Sequence, residues 1–188
     1  FGGAIKNLGM GCVTKKTKLE QHRLIDLCIN EELCQGCGVC AEACWFDIPR
    51  IENDKVVIDD PGCMHCPICS SVCPEGAITL ENKENINKGL AVASQGVMQS
   101  FPENKIAFLN FAVDITNICD CAPGGGHYIC DNHGIYAGFS PVSIDAASLN
   151  GINYQKLNQE HNNDCWIQVR EMQNLQKSGN SDPEIIKV

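Results

Sequence analysis

Two stretches decide how this chain is read: Cys34-Gln-Gly-Cys37-Gly-Val-Cys40-Ala-Glu-Ala-Cys44 and Cys63-Met-His-Cys66-Pro-Ile-Cys69-Ser-Ser-Val-Cys73-Pro74. Each has the spacing Cys-x2-Cys-x2-Cys-x3-Cys, and together they hold eight of the fourteen cysteines. In bacterial ferredoxins this spacing wraps three thiolates of a tight loop around one iron–sulfur cluster, and the fourth thiolate reaches across to the other. The geometry explains the pattern. Three corners of a cubane lie within reach of one loop, whereas the fourth faces away and needs a distant segment. The pattern therefore predicts two [4Fe–4S] clusters, one held by Cys34, Cys37, Cys40 and Cys73, the other by Cys63, Cys66, Cys69 and Cys44. Zinc sites use paired knuckles rather than a triplet plus one, and a disulfide framework would not repeat so evenly.

Working outward, Gly36, Gly38, Gly62 and Gly76 let backbone approach the inorganic cores. Asn53-Asp54 is a turn pair between short strand candidates at Ile51 and Val56-Val57-Ile58, and Ala77 to Leu80 is another strand signal. Upstream, the glycine-rich segment Phe1 to Cys12 reads as a loop. Thr17-x-x-Glu20 is a capping-box pattern, and Leu19, Leu24, Leu27 and Cys28 predict a helix over about Lys18 to Cys28. Downstream, Ile86, Leu90, Ala93, Val97 and Met98 predict a helix ending near Phe101-Pro102. The nearly continuous apolar run Lys105 to Val113 predicts a strand covered on both faces, and Gly134 to Gly138 a second strand. Ser140-Pro141 starts a helix carrying Val142, Ala146, Leu149 and Ile152. Asn153 to Asn163 reads as a polar linker. Trp166, Val169, Met172 and Leu175 mark a last helix with Gly179 as its stop, and Ile185 to Val188 reads as an edge strand.

The fold expected is mixed α and β, either α+β or α/β. A two-cluster ferredoxin-like module, residues 30–80, is inserted in an α/β domain made of residues 1–29 and 81–188. The formal charge of −9 argues against nucleic acid and suits docking on basic redox partners. No run is long and apolar enough to span a bilayer, and reduced thiolates agree with a cytoplasmic location.

Several stretches besides the cysteine runs carry a resemblance. They are Asn7 to Cys12, Lys18 to His22, Asn110 to Cys121 with its Cys-Asp-Cys element, Gly134 to Ala137, and Glu184 to Val188. Together they resemble the family called domain of unknown function 362, in an iron–sulfur form. The resemblance implies a cluster-bearing protein, typical of anaerobes, with no settled reaction. It also implies a further α/β half upstream of Phe1, which would make this sequence a fragment or a split subunit. Trp45, where the ferredoxin run has proline, and the segments Gly124 to His127 and Cys130 to His133 depart from the pattern.

Outside the two runs, Cys119 and Cys121 sit one residue apart, so an extended loop points both side chains the same way. With Cys12, and Cys130 or His22, they would make a third metal site suited to iron, zinc or another cluster. The plainer alternative is a loop lined by cysteines, with Cys28 and Cys165 as small buried hydrophobes. Asp114 and Asp120 flank the loop, Gly124 to Gly126 is a weak phosphate-cradle signal, and His127, His133 and His161 read as exposed. His65 either donates to a cluster sulfur or faces solvent. The leading function is electron transfer between a redox donor and an acceptor. A redox enzyme or maturation factor acting at Cys119-Asp120-Cys121, and an interaction subunit of a larger redox complex, remain alternatives.

Overall fold

The structure is a computed structural model, and it describes residues 2–59, 61–103, 105–117, 126–161 and 163–177. These form two units, one of residues 14–86 and one of residues 1–13 with 87–188. The architecture is mixed α and β, with three two-stranded antiparallel sheets among the described residues.

In the unit of residues 14–86, the Asn53-Asp54 pair does what its composition suggests. Both residues have positive φ, 49° and 61°, the backbone of a two-residue hairpin turn whose twist matches the flanking strands. It joins β2 (Arg50–Glu52) to β3 (Lys55–Val57) with Glu52 opposite Lys55. The other sheet pairs β1 (Asp26–Ile29) with β4 (Ile78–Glu81), Ile29 opposite Ile78. The helix expected over Lys18 to Cys28 therefore stops early. Helix α2 covers Lys15–His22, and residues 26–29 are strand, because Leu27 and Ile29 pair across to Leu80 and Ile78. The cap also differs from expectation. Thr14 is the N-cap, its hydroxyl oxygen accepting from the Thr17 N–H at 3.3 Å.

The unit repeats itself at an interval of 29 residues. Helices α3 (Val39–Glu42) and α4 (Ile68–Val72) correspond, as do β1 with β3 and β2 with β4. The backbone repeats too: Gly36 (φ 64°) matches His65 (φ 49°), and Asp47 (φ 52°) matches Gly76 (φ 62°). Because β1 pairs with β4 and β2 with β3, each repeat completes its sheets with strands of the other.

The second unit has an aliphatic core that includes Ile5, Leu90, Leu149 and Met172. Here the glycine-rich start is not a loop. Ala4–Lys6 is a helical turn, α1, continued by a π-helical turn over Asn7–Gly11. The glycine content that speaks against a helix permits close packing instead: a Cβ on Gly9 would lie 2.3 Å from the Leu90 carbonyl oxygen in α5 (Asn85–Gln99). Strand β5 (Phe108–Ala112) pairs antiparallel with β6 (Gly134–Gly138). The expectation of cover on both faces fails, since Leu109 and Phe111 are 63% and 61% exposed while Phe108 and Ala112 are buried. Only the face toward α6 (Pro141–Gly151) is packed. Residues read as a polar linker form α7 (Tyr154–His161), because Leu157 is buried in the core. Helix α8 (Ile167–Lys177) buries Val169 and Met172 as its periodicity predicts. The proposed stop at Gly179 and strand at Ile185 to Val188 lie outside the described residues.

Candidate metal centre

Each cysteine run begins in a loop, passes through a short helix and ends just beyond it. In the first, Cys34 is buried, Cys37 exposed, Cys40 buried on α3 and Cys44 half-buried; in the second, Cys69 is buried on α4, and Cys63, Cys66 and Cys73 are half-buried. The chain can turn so tightly between Cys34 and Cys37 because Gly36 adopts the left-handed conformation, where a Cβ would approach the Asp54 carbonyl oxygen to 2.6 Å. His65 holds the equivalent backbone in the second loop despite its side chain. Its Nδ1–H donates to the Ile25 carbonyl at 2.5 Å, so the half-buried ring is anchored to the chain before β1.

The structure brings Cys34, Cys37 and Cys40 together with Cys73 around one small cavity. Ile51, Val56, Ala77 and Ile78 close its apolar wall. Backbone amides turn toward the sulfurs: the Val56 N–H donates to Cys34 Sγ at 3.4 Å and the Ala77 N–H to Cys73 Sγ at 3.3 Å. The remaining cysteines form a second neighbourhood. Burial raises the Cys63 thiol, the His65 N–H opposes that shift, and Cys66 and Cys44 are the nearby thiols that add to it. Burial, and then Cys44 and Cys66, push Cys69 up to about 11. Cys40 is raised by burial against a hydrogen bond from the Ala41 N–H, with Cys37 and Cys73 as its neighbours.

Cys40, Cys63 and Cys69 are therefore crowded and partly withdrawn from water, which disfavours their free thiolates. A cationic iron–sulfur core relieves that cost, because a bound metal deprotonates its thiols. Amide N–H groups aimed at sulfur are the further feature such a core uses. The donor set, the apolar wall and the cavity thus fit a cluster.

Of the other sequence-derived candidates, Cys119, Asp120, Cys121 and Gly124-Gly125 lie outside the described residues. Cys12 is exposed, its thiol donating to Asn7 Oδ1 at 3.8 Å, and Cys130 is half-buried against the aliphatic core. His22 belongs to α2. No group of three or more His, Cys, Asp or Glu is gathered for a single metal ion among the described residues. Asp114 has φ 48°, and its N–H donates to Asn132 Oδ1. His127 pairs with Glu160 at 3.2 Å, and His133 stacks on Tyr136 and bonds its hydroxyl.

Asp145 was not singled out from the sequence. Its fully buried carboxylate accepts from the Ala4 N–H (2.6 Å), the Ile5 N–H (3.0 Å) and Asn110 Nδ2 (2.8 Å), tying α1 and β5 to α6. The signal was present: Asp145 stands between Val142 and Leu149 on the helix face that the apolar residues mark.

The family model described as "Domain of unknown function (DUF362)" matches residues 1–150. A protein named an uncharacterized ferredoxin, from Methanocaldococcus jannaschii, is 41% identical over 56 residues, 28% of this chain and 90% of that protein. A ferredoxin of Methanothermococcus thermolithotrophicus is 38% identical over 56 residues, 28% of this chain and 93% of the relative. The formate dehydrogenase-O iron-sulfur subunit of Escherichia coli is 39% identical over 69 residues, which are 30% of this chain and 21% of the subunit. No solved structure matches the chain. No described helix is long and apolar enough to cross a membrane.

Proposed function

This chain belongs to the DUF362 family, and we propose that it is an iron–sulfur electron-transfer protein or subunit carrying two [4Fe–4S] clusters. One observation carries the reading: a single cavity is walled by Cys34, Cys37 and Cys40 from the first run and by Cys73 from the second. That crossing is the one the spacing requires. Cys63, Cys66 and Cys69 with Cys44 hold the second cluster by the same logic.

A bound cluster supplies one-electron redox chemistry, and the chain supplies everything else. The cysteine thiolates fix the clusters at a short separation, because each run contributes a ligand to both. The amides of Val56 and Ala77 place hydrogen bonds on the ligating sulfurs, favouring the reduced, more negative state. Ile51, Val56, Ala77 and Ile78 exclude water. The insertion expected over residues 30–80 falls within the compact unit of residues 14–86, and the Asn30 N–H donates to the Ala77 carbonyl at 2.8 Å near the two ends of that segment. The relatives named ferredoxin align with this chain over a stretch of module size.

Serine substitution tests the crossing. With anaerobically purified protein, Cys73→Ser is expected to alter the same electron-paramagnetic signal as Cys40→Ser, and Cys44→Ser the same signal as Cys63→Ser. Pairing of Cys73→Ser with Cys63→Ser instead would contradict the assignment.

A further inference from the structure

Three observations converge on the region around the first cysteine cavity. Its Cys37 is exposed whereas Cys34 and Cys40 are buried, so one corner of the site reaches the surface. Val39, exposed and apolar, lines the same cavity together with Glu75. Glu42 stands three residues along α3 from Val39, which places it on the same helix face.

Charge is concentrated here as well. Residues 30–80 contain nine Asp and Glu against two basic residues, a net −7 of the chain's −9. Both bases are engaged within the segment. Arg50 pairs with Glu52 and Asp59, and Lys55 Nζ donates to the carbonyls of Glu31 and Cys34. Glu31, Glu32, Glu42 and Glu75 form no ion pair among the described residues.

We propose that the rim of Cys37, Val39, Glu42 and Glu75 is the docking surface through which electrons leave, and that its partner is an electron-transfer protein whose cofactor edge is ringed by lysine and arginine. The inference rests on the cluster assignment above. An acidic rim steers a basic partner into encounter, and an exposed apolar residue at its centre lets the cofactors approach closely once water is displaced. Each turnover moves one electron: the reduced protein is oxidised by one electron, and one acceptor is reduced by one.

Cytochrome c, basic around its haem edge, serves as the probe, and the acidic haem domain of cytochrome b5 as its opposite. The whole chain is reduced with dithionite, freed of excess reductant and mixed with either ferric haem protein by stopped flow. At low ionic strength the Glu42→Lys/Glu75→Lys variant is expected to reduce cytochrome c about tenfold more slowly and cytochrome b5 faster, with a flatter salt dependence for cytochrome c. The control Glu103→Lys/Glu171→Lys makes the same change in net charge elsewhere, and is expected to alter either rate by less than about twofold. If the lysine variant loses iron, Glu42→Gln/Glu75→Gln replaces it, with a smaller change in the same directions. Equal effects of the rim and control variants in cluster-bearing protein would overturn this inference alone. A chain that assembles no clusters would overturn the proposed function and this inference with it.

Discussion

The two units bury sulfur and hydrocarbon in opposite proportions. The unit of residues 1–13 and 87–188 packs aliphatic side chains such as Ile5, Leu149 and Met172 to full burial. The unit of residues 14–86 gathers Cys34, Cys40 and Cys69 with Val56, Ala77 and Ile78. The first is an ordinary core whose stability scales with apolar area. The second has little hydrocarbon to bury, so under the proposed cluster assignment its fold is coupled to what its thiolates hold. The difference teaches that the same chain contains one region that can be weakened by a methylene and another that can be undone by a ligand.

The largest effect expected follows from that contrast. Chelation of iron under oxidising conditions should abolish amide-exchange protection in β1 to β4 and leave α6 and α8 protected. Loss of protection in both units at the same rate would erase the distinction. Next, Leu149→Ala in the aliphatic core should cost about 3 kcal/mol, read by chemical denaturation, with the iron content unchanged. Third, Gly36→Ala should cost about 2 kcal/mol through strain at φ 64° and the approach to Asp54. Gly38→Ala, also at positive φ but with open space around the new Cβ, should cost about 1 kcal/mol. Equal costs at the two glycines would show that the Asp54 approach does not matter.

The smallest effect concerns Asp145. Burial pushes its carboxyl above the ordinary range, against the hydrogen bonds from Ile5, Asn110 and Ala4. With the folded value raised, the native state holds the proton more tightly than the unfolded chain. This group's contribution to stability is therefore fully present below the usual carboxylate pKa and declines as pH rises from there toward the folded value. Asp145→Asn should flatten that part of the pH profile for its own unit. A profile unchanged by the substitution would show that another group sets it.

Legibility in the sequence followed the same divide. The hairpin at Asn53-Asp54 could be read because turn chemistry is local. Ser140-Pro141 likewise marked the start of α6 correctly. The helix expected through Cys28 failed because Leu27 and Ile29 answer to a partner about fifty residues away in β4, which no local window contains. The start of the chain reads as a loop in sequence because Gly9 is explained by Leu90, not by its own neighbours. Continuous apolar sequence at Phe108–Ala112 suggested two covered faces, but an apolar side chain does not report whether anything covers it. Asp145 was overlooked because a charged residue on an apolar helix face looks like an interruption until Ala4, Ile5 and Asn110 supply its partners.

The central claim is that the sulfur-rich unit holds two clusters with interlocked ligands. Iron and acid-labile sulfide counted on anaerobically purified protein test it most directly. The account predicts about eight of each per chain; about four of each, or zinc in place of iron, would contradict it.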